Sequence, residues 1–167
     1  FYGVPGNHGR ISREACDTSN WDLMLYKALA KTKLPDNVEV ICPTDFCQMV
    51  KIQGFNFFCF HGDQIRISNG IPYFAMSRKI QTWYISYGGF AFACCGHFHK
   101  QDILGITART TLFMNSALPT DDPYALRVVG TSSVPSQLSF GVHAKHGVTW
   151  VYSLLTDNAF LPEKARE

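Results

Sequence analysis

The sequence has no run approaching the ~18 to 20 apolar residues of a membrane-spanning helix, so nothing in it reads as a membrane span. It has no CxxC pair. Its start lacks a basic region followed by an apolar core, so no signal peptide is read there and a cytoplasmic location is expected. Charge is scarce: 17% of residues are Asp, Glu, Lys or Arg, and 15 basic residues against 13 acidic ones leave +2. That balance lacks the strongly basic patch by which nucleic-acid-binding domains usually announce themselves. Low charge with 14% aromatic residues excludes disorder as the general state. Repeats and low-complexity segments are absent.

What is present suffices for one domain. The 167 residues are 46% hydrophobic, and a domain of roughly 150 residues buries about 70% of its unfolded surface. Six cysteines would allow a disulfide framework, but their positions argue for reduced thiols. Cys59, Cys94 and Cys95 lie in apolar runs, where a free thiol acts as a small hydrophobe. Cys94 and Cys95 are adjacent, which disfavours a bond between them.

Phe1 to Val4 reads as the end of a strand, followed by a Pro5–Gly9 loop. Helical spacing runs from about Thr18 to Lys33, with Asp17, Thr18 or Ser19 as cap. Short strands are expected at Val38–Ile41, Phe46–Ile52 and Phe55–Phe60, the last two joined by a tight turn at Gln53-Gly54. A second helix is expected from about Pro72, in its first turn, to Tyr87. Phe90–Cys95 reads as a strand buried on both faces. Only strands follow: Ile103–Ala108, Thr111–Met114, Leu126–Val129, Leu138–His143 and Val148–Leu154. Residues 1–160 form one α/β domain with more than one sheet, and 161–167 a charged tail.

Four of the six histidines sit where an apolar run hands over to a Gly-rich loop: Gly6-Asn7-His8, His61-Gly62-Asp63 and Gly96-His97-Phe98-His99. Ligands gather at the carboxyl ends of strands in α/β sheets. Glycine lets the backbone approach a ligand closely, imidazole suits divalent transition metals, and Asn adds a neutral oxygen. One such histidine is usually a satisfied or solvent-facing residue; three in a shared setting point to a metal site.

In order and setting, these residues resemble the third, fourth and fifth motifs of the calcineurin-like metallophosphoesterases: Gly-Asn-His-Asp/Glu, a lone His, and Gly-His-x-His. Asn115-Ser116-Ala117-Leu118 is similar to the small-residue turn that often follows. The resemblance extends to about residue 155 and is strongest to the phage and bacterial members. It implies a two-sheet sandwich flanked by helices, in four layers αββα. It implies hydrolysis of a phosphodiester or nucleotide-type substrate by a metal-activated water, with nucleic acid a compatible substrate and no membrane partner. Two divalent ions, Mn, Zn, Fe or Ni, are implied for the complete site. Asn7, His61 and His97 would ligate one and His99 the other, while His8 would face the phosphate.

Three departures matter. The family's earlier motifs, Asp-x-His and Gly-Asp-x-x-Asp, are absent, and they supply the bridging carboxylate and most ligands of the second ion. With only the later motifs in this chain, one ion or none is expected here. Because the chain opens inside a strand just ahead of the third motif, truncation at the N-terminus is expected, leaving an edge open to pairing with another copy. Gly9 stands where the family has an acidic residue, and Arg10 next to it suits a substrate phosphate.

The remaining candidates read more plainly. His143 and His146 fall in an exposed hairpin turn, and Asp121-Asp122 before Pro123 in a loop. Tyr73, Phe74, Trp83, Tyr84 and Tyr87 have helical spacing that favours core packing over base stacking. Arg78, Lys79, Lys51 and Arg66 are the basic residues available to a nucleic-acid groove, and in sequence they form no stripe. Asp63 suits either a hydrogen bond to a metal-bound His61 or a loop cap. The competing functions are a catalytically silent scaffold on this fold and a mononuclear zinc module, for which Asn7 is a poor ligand.

Overall fold

Apolar runs rich in phenylalanine and cysteine build the centre of the molecule. The computed structural model describes residues 1–12, 19–43, 45–66, 72–118 and 134–156. Strands β1 (Cys47–Ile52) and β2 (Phe55–Phe60) pair antiparallel. The turn between them uses Gln53 and Gly54 at φ 50° and 88°, the left-handed pair a tight hairpin needs. Helix α2 (Tyr73–Ser86) then crosses over, so that β3 (Phe92–Cys95) lies parallel to β2. β4 (Asp102–Thr107) folds back on β5 (Thr110–Met114), which pairs parallel with β3. The sheet order is β1-β2-β3-β5-β4, and β6 (Ser136–His143) with β7 (Gly147–Leu155) makes a second, two-stranded sheet.

The large sheet is covered on both faces. Phe58, Phe60, Leu112 and Met114 point to one side and pack with Met76 and Ile80 of α2. None of these six is more than 1% exposed, and each contributes roughly 1.5 to 3 kcal/mol by burial. On the other side Phe57 and Phe113 stack on Phe140 of β6, with ring centroids 5.7 and 5.3 Å away. The expected two-sheet α/β sandwich is therefore formed. The described residues supply three of its four layers, α2, the large sheet and the hairpin. Trp150 and Tyr152 remain exposed on the hairpin.

Helix α1 (Trp21–Ala30) packs on the N-terminal segment instead: Tyr26 Oη donates to Val4 O at 3.1 Å, and the Tyr26 ring meets Phe1. Its cap is Asn20, whose side chain accepts from the Asp22 N–H, rather than any of the three expected residues. Pro72 caps α2 rather than entering its first turn. Val38–Ile41 is not a strand. Val38 is exposed, and only Ile41 pairs, through a single parallel bridge to Tyr2. Gln48 fixes this junction by donating to Gly3 O and Ile41 O. Cys42, Cys47, Cys59, Cys94 and Cys95 are free thiols. Leu126–Val129, Asp121-Asp122 and the 161–167 tail lie outside the described residues. Among the described residues no helix is long and apolar enough to cross a membrane.

Candidate metal centre

Parallel pairing of β2 and β3 brings their carboxyl ends side by side, so His61 and Gly96-His97 emerge at one sheet edge. The Gly96 N–H donates to His61 O at 2.9 Å. Gly62, at φ 125°, lets the two loops touch: a Cβ there would lie 2.9 Å from His97 Cβ and 3.0 Å from Gly96 O. His97 and His99 themselves take positive φ, 69° and 52°. Non-glycine residues hold that conformation, at a cost of about 1 to 3 kcal/mol each, only where their surroundings impose it.

Asn7 comes from the opposite side, on the 3-10 turn Asn7–Gly9. Its Oδ1 is 2.8 Å from His61 Nε2 and 3.1 Å from His97 Nδ1. The two imidazoles are 5.0 Å apart and inclined at 64°. Burial holds both below the ordinary histidine range. His61 is lowered, against the opposing pull of Asp63, and His97 is lowered to about 4, with His61 adding to the effect. Each ring is thus neutral at physiological pH and keeps a lone pair for a ligand.

These donors fit a divalent ion. Adjacent ligands of an octahedral ion at ~2.1 Å lie about 3 Å apart, which is the spacing found around Asn7 Oδ1. The set is nevertheless lean. Among the described residues no three His, Cys, Asp or Glu side chains gather as a metal site, and only Asn7 raises the donors to three.

The other expected residues lie around this centre. His8 is exposed on the same turn, near enough that its positive form opposes protonation of His61 and His97. His99 bears on His97 in the same way, and its carbonyl accepts from Ser116 Oγ at 3.2 Å. Arg10 is paired with the Asp63 carboxylate. Asp63 therefore answers to Arg10 rather than bonding the His61 ring, and its other oxygen accepts from Gln64 Nε2 at 2.6 Å. Asn115 and Ser116 tie the β5 end to β6, through Asn115 Oδ1 to the Leu138 N–H and Ser116 Oγ to Val134 O. His143 and His146 stack at 4.9 Å in an exposed turn, as expected.

One residue of the site escapes sequence reasoning. Asp22, in the first turn of α1, accepts the Gly6 N–H at 2.7 Å and acts electrostatically on His61. It also explains Gly9. A Cβ at that position would lie 2.2 Å from Asn20 Oδ1 and 2.7 Å from the Asp22 carboxyl. A carboxylate therefore stands against residue 9, supplied by the helix rather than by the loop. The sequence signals were an acid near a helix start and, in a separate segment, a glycine where the resemblance expects an acid.

No protein-family model and no curated protein matches the chain. Among solved structures it is similar to Vps29 of Entamoeba histolytica complexed with Zn²⁺, at 12% identity and a TM-score of 0.47, over 74% of this chain and 68% of that one. It is similar to Vps29 of Cryptosporidium parvum at 17% identity and a TM-score of 0.43, over 63% of this chain and 48% of that one. A predicted phosphoesterase of Streptococcus pneumoniae matches at 12% identity and a TM-score of 0.41, over 70% of this chain and 67% of that one.

Proposed function

We propose that this chain carries the active site of a metal-dependent phosphoesterase acting on a phosphodiester or nucleotide-type substrate. The observation behind this reading is the convergence of His61 Nε2 and His97 Nδ1 on Asn7 Oδ1, with both rings neutral. Those three atoms would hold one ion of Mn, Zn, Fe or Ni. When bound, such an ion supplies Lewis acidity to phosphoryl oxygens and makes water a better nucleophile at neutral pH.

The chain's own residues do the rest. His8 faces solvent beside the donor set, where its imidazole N–H can protonate the leaving oxygen. Arg10 lies two residues further on with 38% of its side chain exposed, and a substrate phosphate would compete with Asp63 for its guanidinium. His99 is the donor left for a second ion, whose carboxylate ligands must come from outside this chain's motifs. Asp22 supplies the negative charge that the neutral donors lack.

The second reading is a catalytically silent scaffold, favoured by the absence of carboxylates from the donor set among the described residues. Hydrolysis of bis(p-nitrophenyl) phosphate by the purified chain with added Mn²⁺ separates the two. The enzyme reading expects turnover that His97→Ala abolishes; because p-nitrophenolate leaves without a proton, His8→Ala is read on an unactivated phosphodiester, where it should lower turnover roughly 10²- to 10⁴-fold. Turnover indifferent to both, or none with Mn²⁺ bound, favours the scaffold.

A further inference from the structure

Helix α2 presents to solvent a face that the metal centre does not use. With the loop after His61 it bounds a cleft of about 290 Å³, lined by Gln64, Arg66, Ala75, Arg78, Lys79 and Thr82. Three of those side chains are cations and none is acidic. The whole of α2 contains no Asp or Glu. Among the described residues the one ion pair joins Arg10 to Asp63, so these three cations face the cleft without a carboxylate partner. Lys79 is held in place by Gln64 O and lies 5.5 Å over the Trp83 ring.

An aromatic face stands beside them. Phe74 is 77% exposed, and the Arg78 guanidinium lies 5.9 Å over its ring. Gln64 connects the cleft to the metal centre, because the same side chain accepts from the Gly62 N–H and donates to Asp63. A ligand in the cleft therefore lies one residue from the loop that carries His61.

We propose that this cleft binds the backbone phosphates of single-stranded nucleic acid, with Phe74 as a stacking face for an unpaired base. Cations that track a backbone, with an exposed ring alongside, are the physical requirements for binding such a strand. A duplex would leave Phe74 without use, since its base faces are already stacked. The direction of the strand toward Asn7, His61 and His97 rests on the phosphoesterase reading; binding in the cleft does not.

Fluorescence anisotropy of the whole chain with labelled oligo-dT tests this without turnover. With three phosphates neutralised, log affinity should fall with log salt at a slope of about −2 between about 50 and 200 mM. Arg78→Ala with Lys79→Ala should flatten the slope, Arg78→Lys should preserve it, and Phe74→Ala should weaken binding about 5- to 100-fold. Binding in excess chelator should match binding without it, so an empty metal centre would not disguise a working cleft. Affinity unchanged by both the double substitution and Phe74→Ala would overturn the proposal. So would equal or tighter binding of the matching duplex, or of an acidic peptide.

Discussion

The imidazoles of His61 and His97 stand 5.0 Å apart and turn their Nε2 and Nδ1 toward the same oxygen of Asn7. Burial lowers the pKa of both, that of His97 to about 4 from 6.5. As pH falls below 6.5 the unfolded chain takes up these protons first. The contribution to stability is therefore complete above 6.5 and is lost as pH falls toward 4. In chelator, the urea midpoint should be lower at about pH 5 than at about pH 7, and the drop should shrink in His97→Gln. Equal midpoints would mean that the rings are not held neutral by the fold.

His8 should separate chemistry from metal binding. It is exposed beside the donor set and contributes no donor to it. His8→Ala should leave metal affinity unchanged while phosphodiester hydrolysis falls roughly 10²- to 10⁴-fold, the usual worth of a general acid. Loss of metal in this variant, read by calorimetric titration, would remove the assigned role.

Asp22 should act through its charge. Asp22→Asn keeps an oxygen for the Gly6 N–H but removes the negative charge facing His61. Divalent-metal affinity should drop ~10- to 100-fold, the scale found for residues that support metal ligands. Thermal stability should change by no more than about 1 kcal/mol, the worth of an acid at a helix start. A melting shift without a change in affinity would leave Asp22 as a favourable charge in the first turn of α1 alone.

Gly62 should prove indispensable to the site's geometry. At φ 125°, with His97 Cβ 2.9 Å from where a side chain would begin, Gly62→Ala must separate the His61 and His97 loops. The expected cost is about 1 to 3 kcal/mol in denaturant unfolding, together with weaker metal binding. A variant as stable as the parent would show that the loops tolerate separation.

The parts of the fold that were legible in the sequence are those set by strong local signals. Phe55–Phe60 is a strand because its residues are apolar on both faces, and it is buried between α2 and the hairpin. Asn7, His61 and His97 were legible as candidates because each follows an apolar run and sits beside a glycine. Their convergence depends on the parallel β2–β3 pairing, which no local pattern states. Val38–Ile41 failed because short apolar spacing does not supply a partner strand, and only Ile41 finds one. Arg66, Arg78 and Lys79 formed no stripe in sequence because the loop and the helix meet only in three dimensions. Asp22 was hidden for the same reason.

The most direct test of the metal centre is the number of ions bound per chain, measured by elemental analysis of protein purified without chelator and loaded with Mn²⁺ or Zn²⁺. The three-donor set predicts one tightly held ion in the parent chain, lost in His61→Ala and in His97→Ala. An ion retained in both variants, or none bound by the parent, would contradict Asn7, His61 and His97 as a metal centre.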